Sequence, residues 1–222
     1  MERISFEERI VQYCNRLKDW EEKREKRKGT EFNKEENTKI KFVVPLLDIL
    51  GWRPLEGYSV EFEHHIPKLK GRDAADVALY TDEKSSKPVI LIEVKPIQNT
   101  IREDSPTKIF EYMIHGKAIF GIATNGKQLL LFDNYRTRHD SAKGCKLVGF
   151  NFLSKDFINY SEVLKLLTKE MVSDGILVRF SDYFHKESPF FSWRESRKKG
   201  NKDYDEYTLR LEFAKDFLKN KI

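Results

Sequence analysis

Apolar residues recur along the first part of the chain at two different periods, and the change of period separates helices from strands. Phe6, Ile10, Tyr13, Leu17 and Trp20 stand three or four residues apart, which places them on one face of an amphipathic helix whose end, EEKREKRKG, runs into solvent. A second helix is expected from about Asn33 to Gly51, with Ile40, Val43, Val44, Leu47 and Leu50 on its apolar stripe and Pro45 bending it or shortening its start. Glu36 lies four residues before Ile40, so it falls on that stripe and is expected to face inwards; as a glutamate three residues after an Asn33 N-cap, it also suits a capping role. From Tyr58 to His65 the period drops to two and a strand is expected, with His64 and His65 on opposite faces and therefore a poor pair of ligands.

The stretch Asp73 to Lys95 reads as a β-hairpin. Its arms, Ala74 to Tyr80 and Pro88 to Lys95, are rich in Val, Ile and Leu, and the polar run DEKSSK separates them. Alternation puts Glu93 and Lys95 on a face with Val89 and Leu91, and Ile90, Ile92 and Val94 on the other. With Asp82 to Lys87 as the loop, Asp76 faces Glu93 directly. Opposed like charges destabilise a sheet, so this pair calls for a cation between them. A hard divalent ion such as Mg²⁺ takes oxygen ligands and keeps waters, leaving positions for a phosphate oxygen and an attacking water; Lys95 is placed to orient that water or to stabilise phosphate charge. The plainer reading is a surface hairpin with one charged face.

After Lys95, a helix starting at Asp104 or Ser105 carries Ile109, Tyr112 and Met113 inwards. Ala118 to Ala123 and Gln128 to Phe132 are two further strands joined by the turn Thr124-Asn125-Gly126. Lys146 to Phe152 suggests another strand, Tyr160 to Met171 a helix, and Tyr204, Tyr207, Leu211, Ala214 and Leu218 the stripe of a last helix. Between these helices, Phe184 to Asn201 mixes aromatic residues with Arg194, Arg197, Lys198 and Lys199, which suits a solvated loop or an arm that contacts phosphates.

Composition narrows the partners. The 222 residues suffice for one sizeable core, and 41 basic against 36 acidic residues, a net charge of +5, permit nucleic acid without requiring it. The two cysteines, Cys14 and Cys145, have no CxxC spacing, which argues against a zinc site and for a reducing, intracellular setting. No stretch of about 18 apolar residues predicts a membrane span, and no phosphate-binding GxxxxGK[ST] loop is present.

Four segments, KEENTKIKFVVPLLDILGW, GRDAADVALY, PVILIEVKP and YMIHGKAIFGIATNGKQLLLFD, resemble the N-terminal nuclease domain of type I restriction enzyme motor subunits, a branch of the PD-(D/E)XK nuclease superfamily; the likeness covers roughly residues 31 to 135. The resemblance implies an α/β, restriction-endonuclease-like core with a mixed central sheet flanked by helices and a C-terminal helical extension. By residue number, the expected organisation is an N-terminal helix in 1–30, a nuclease core in 31–152 and the extension in 153–222, packed as one domain. It further implies a DNA endonuclease using Mg²⁺, or Mn²⁺ in its place, with Asp76, Glu93 and the backbone carbonyl of Val94 as metal ligands, Lys95 as the catalytic lysine and a glutamate of the second helix as a supporting acid. Glu36 suits that last role by helical face. Glu35 suits it by the family pattern E-x-x-T-R, matched here from Glu35 to Lys39.

The family's Q-x-x-x-Y pattern departs at one place, since Tyr112 is present but Lys108 replaces the glutamine; both are candidate DNA contacts, as are Arg194, Arg197, Lys198 and Lys199. The helicase domains of the family's motor subunits are absent from this sequence, so a stand-alone nuclease and a subunit working with a separate motor or specificity chain both remain open, as does a homodimer. The alternatives are an inactive DNA-binding or regulatory subunit of a restriction-like complex, a junction-resolving or repair nuclease of the same superfamily, and a protein-interaction scaffold.

Overall fold

The computed structural model describes residues 4–26, 35–66, 74–101, 107–134, 146–185, 190 and 206–221. Six strands form one mixed sheet in sequence order: β1 (Val60–His65), β2 (Ala74–Leu79), β3 (Ile90–Val94), β4 (Phe120–Thr124), β5 (Gln128–Asp133) and β6 (Lys146–Asn151). Only β3 and β4 are parallel neighbours, and α4 (Thr107–Gly116) lies between them in the chain, as a parallel pair requires a crossover. The register in β2 and β3 pairs Val77 with Ile92 and Leu79 with Ile90, which is the expected hairpin.

Both faces of the sheet are covered, so β2 and β3 are buried almost throughout and the hairpin is not a surface feature. One face carries Ile90, Ile92 and Val94 and packs against α1 (Phe6–Lys26), α3 (Val44–Ile49), a 3₁₀ segment (Phe157–Leu167), α6 (Ile176–His185) and part of α7 (Glu206–Lys221). The opposite face carries Leu91, Ala123 and Leu130 and is covered by α4, with Tyr207 of α7 at its side. Small residues let α4 approach closely: a Cβ on Gly121 would stand 2.7 Å from Ile109 Cγ1 and 2.8 Å from Met113 Sδ. At the β4–β5 turn, Gly126 has φ +81° and its Hα side lies where a Cβ would meet Phe42 at 2.9 Å, so both conformation and space demand glycine. Tyr13 of α1 fastens the same turn by donating to the Gly126 carbonyl at 2.7 Å.

The second helix departs from the regular stripe that the sequence suggests. It consists of α2 (Glu35–Thr38), a π-helical turn (Lys39–Val43) and α3, with Pro45 in the first turn of α3. A π turn takes more residues than an α turn, so it rotates α2 about the helix axis relative to α3. Phe42 and Leu46 therefore join Val43, Leu47 and Leu50 in the core, whereas Ile40 is 63 % exposed. The helix expected from Tyr160 to Met171 is likewise two pieces, the 3₁₀ segment and α5 (Lys169–Ser173), separated at Thr168, whose side chain caps α5 by accepting from the Met171 N–H. Helix α6 has no counterpart among the elements expected from sequence. The expected helix start at Asp104 or Ser105 and the Asn33 cap lie outside the described residues. Among the described residues no helix is long and apolar enough to cross a membrane.

Candidate active site

Three neighbouring strands place acidic residues in one row. The β1–β2 register sets Phe62 against Val77 and His64 against Ala75, so Glu63 lies across from Asp76; the β2–β3 register sets Asp76 across from Glu93. Asp76 and Glu93 are only 7 % and 3 % exposed. Two carboxylates this deeply buried and this close are costly unless cations and hydrogen-bond donors satisfy them.

The chain supplies part of that compensation. Lys39, 4 % exposed and the first residue of the π turn, points its ammonium at Asp76 Oδ1 (3.2 Å), at Glu36 Oε1 (3.1 Å) and at Glu63. The Val94 N–H donates to Asp76 Oδ2 at 2.7 Å. On the other side, Lys95 donates to Glu93 Oε1, and Lys108 of α4 reaches the same oxygen at 3.1 Å. Glu93 Oε2 is buried without a hydrogen-bond partner among the described residues. Burial pushes the Asp76 carboxyl above the usual range, and the Glu93 charge adds to this against the pull of the Val94 N–H and Lys39. Burial also raises Glu35, followed by the charge of Asp76. Lys39 and Lys108 are both held above the ordinary lysine value: burial opposes their charge but is outweighed, for Lys39 by Glu63, Glu36 and Asp76, and for Lys108 by Tyr112 and Glu93.

Most of the residues singled out from sequence converge here, with corrections. Asp76, Glu93 and Lys95 come together as expected, and Val94 contributes its N–H to Asp76. Glu36 does not face inwards: its side chain is 68 % exposed and it serves Lys39 from the rim. Glu35 is the helix glutamate within electrostatic reach of Asp76, Glu93, Lys95 and Lys108, because the π turn rotates α2 away from the stripe that Ile40 was expected to mark. Tyr112, expected at DNA, is 1 % exposed in the core under α4 and supports Lys108, whose ammonium stands 5.1 Å from the ring centroid. Arg194, Arg197, Lys198 and Lys199 lie outside the described residues. Sequence reasoning missed Lys39 and Glu63 as members of the site. The alternation in VEFEHH carried a signal for Glu63, but the β1–β2 register was needed to use it.

The polar lining fits one kind of cation. Among the described residues no group of three or more His, Cys, Asp or Glu side chains converges on one metal position. Mg²⁺ does not require such a cage, since it is usually held by one or two carboxylates, with waters and phosphate oxygens completing the shell. Asp76 and Glu93 offer hard oxygen atoms, and Glu93 Oε2 has no hydrogen-bond partner among the described residues. The five carboxylates around the site, Glu35, Glu36, Glu63, Asp76 and Glu93, meet three lysines, Lys39, Lys95 and Lys108.

No curated protein and no solved structure matches this chain. A family model does: the type I restriction enzyme R protein N terminus matches residues 34–145, a span that starts beside Glu35 and includes Lys39, Glu63, Asp76, Glu93, Lys95 and Lys108. Since that span is half of the chain and carries the whole constellation, the chain belongs to the family of type I restriction enzyme R protein N termini.

Proposed function

We propose that the protein is a Mg²⁺-dependent DNA endonuclease of restriction type, and that Asp76 and Glu93 hold its metal with the Val94 carbonyl. The observation that supports this most is the buried, directly opposed carboxylate pair with an unpartnered Glu93 oxygen and a lysine on the neighbouring strand position. When bound, the metal would lower the pKa of a ligated water and neutralise charge on the scissile phosphate. Lys95 holds the attacking water beside Glu93. As the water oxygen bonds to phosphorus, the phosphorus–oxygen bond to the leaving nucleotide breaks and that oxygen takes up a proton from solvent. Lys108, half-exposed and always charged in this setting, faces the phosphate and stabilises the charge that builds on its oxygens. Lys39 fixes Asp76 and favours its ionised form against burial, and Glu35, its carboxyl raised and within electrostatic reach of Asp76 and Glu93, would accept the proton that the water loses. A separate motor or specificity chain is proposed as the partner that would bring DNA to this site.

A second reading is favoured by Lys108 itself. Two ammonium groups on Glu93 Oε1 compete with a metal, which suits an inactive DNA-binding subunit. Incubation of the purified chain with supercoiled plasmid and Mg²⁺ or Mn²⁺ separates the two. The nuclease reading predicts nicking that chelator abolishes and that Glu93→Gln or Lys95→Ala lowers at least about 100-fold, within the range by which a positioned charge or base accelerates such a step. Equal cleavage by wild type and Glu93→Gln would remove Glu93 from the mechanism.

A further inference from the structure

A cavity of about 600 Å³ opens on the same face of the sheet as Glu93 and at the same end of its strands. The register fixes the relation: Glu93 pairs with Ala123, Ala123 with Leu130, and Leu130 with Gly149, so the Gly149 floor of the cavity stands in the Glu93 row three strands away. At about 4.8 Å per strand this is ~14 Å, about four base-pair steps of duplex. The cavity is also tied to the catalytic strand through the chain. The segment after Lys95 leads directly to Thr100 and Ile101 in the cavity wall, and the Ile101 N–H is held by Gln128 Oε1 at 3.2 Å.

The chemistry of the wall selects the ligand. Tyr160 and Tyr207 are half-exposed there, beside the amides of Gln128 and Asn151 and the carboxylate of Asp156; among the described residues no lysine or arginine lines the cavity, and the Lys215 ammonium stands 5.7 Å from the Tyr160 ring centroid. Such a wall suits a flat, neutral ring better than a phosphate, with the Asp156 carboxylate as acceptor for an amino group, since Gln128 Oε1 already accepts from the Ile101 N–H and Asn125 Nδ2. Tyr207 is fixed in place: a Cβ on Gly149 would stand 2.5 Å from its ring, and the Lys146 ammonium lies 3.7 Å from the ring centroid. A wall so held loses little freedom when a base stacks in the cavity. We propose that this cavity takes an unstacked base of the DNA strand whose phosphate lies at Asp76 and Glu93, so that the protein engages DNA with an unpaired or extruded base near the cut. The proposal rests on the DNA reading of the active site but not on catalysis.

Binding without metal tests it. Fluorescence anisotropy in chelator compares a labelled duplex bearing one unpaired adenine with the same duplex bearing an abasic spacer at that position. The wild type is expected to prefer the base by about ten-fold, the order given by one base stacked on an aromatic side chain. Tyr160→Ala, and independently Ser154→Phe, which fills the cavity from its exposed rim, should each reduce the preference to about two-fold or less. Equal wild-type affinity for the two duplexes overturns the cavity's role while leaving the cleavage test to judge the nuclease reading. A preference that survives both substitutions places the base elsewhere and also overturns it. Binding of neither duplex overturns both readings. Free deoxyadenosine, titrated against the protein's tyrosine fluorescence, is expected to bind only at about millimolar concentration; micromolar binding with no duplex preference would make the cavity a site for a free nucleoside and end the proposal.

Discussion

Asp76 shows most clearly what the site costs in the absence of metal. Its carboxyl, raised by burial first and by Glu93 next, binds a proton more tightly in the folded protein than in the unfolded chain, and Glu35 does the same. Stability without metal therefore falls as pH rises from the ordinary carboxylate range, about 4, through the raised folded values, because the folded state must give up protons that the unfolded chain has already lost. Asp76→Asn keeps an acceptor for the Val94 N–H and leaves Lys39 with Glu36 and Glu63. We expect this variant to melt at or above the wild-type temperature at pH ~8 in chelator and to lose part of the pH dependence. Mg²⁺ at about 100 times its Kd should stabilise the wild type by about 2.7 kcal/mol, raising its Tm by about 5 to 10 °C, and should leave Asp76→Asn unchanged. A wild type insensitive to Mg²⁺, beside an Asn variant that is markedly less stable under the same conditions, would make the carboxylate structural.

Lys108 gives a second prediction at this scale. Its ammonium sits on Glu93 in the free protein, yet the side chain is 46 % exposed and can turn to a phosphate that enters beside it. Lys108→Gln should lower the slope of log K against log salt by about 0.9, the contribution of one phosphate contact. Parallel salt plots of equal affinity for wild type and variant would confine Lys108 to Glu93. The Asp76–Glu93 pair was legible in the sequence because a short hairpin loop fixes the register of its arms. The choice between Glu35 and Glu36 was not, because it depends on a π turn that leaves no periodic mark.

At the scale of elements, α4 is the part whose position matters most to the site, since it brings Lys108 to Glu93. Its approach depends on Gly121, under Ile109 and Met113. Gly121→Ala is expected to push α4 outward and to cost about 1 to 3 kcal/mol, read as a lower urea midpoint at unchanged m-value, with slower cleavage as Lys108 retreats. An unchanged midpoint would mean that Met113 and Ile109 repack without moving the helix. Strands β1 to β6 and helices α1, α4 and α7 could be read from period and punctuation. The break at Thr168 and helix α6 could not: Ile176, Leu177, Phe180 and Phe184 have helical spacing, but the adjoining aromatic and basic residues obscure where the pattern stops.

For the whole molecule, burial and charge point the same way. A sheet covered on both faces leaves only the ends of its strands for polar chemistry, and the end that carries Glu93, Lys95 and Asp76 also receives Lys39 from the π turn and Lys108 from α4. The Ile97 N–H bonds to Thr38 Oγ1 at 3.0 Å, so α2 and the segment after Lys95 hold each other in place around the acidic row. Family membership covers this constellation and not β6 or the helices beyond it, which pack mainly on the face away from α4, with Tyr207 of α7 reaching the α4 face. The most direct measurement is the position of Mn²⁺ by anomalous scattering from crystals soaked in it. A metal held by both carboxylates would give a single peak within about 2.2 Å of a carboxylate oxygen of both Asp76 and Glu93, with Lys95 displaced from Glu93 Oε1. A peak elsewhere, or none, with Lys39 and Lys95 still seated on the two carboxylates, would contradict it.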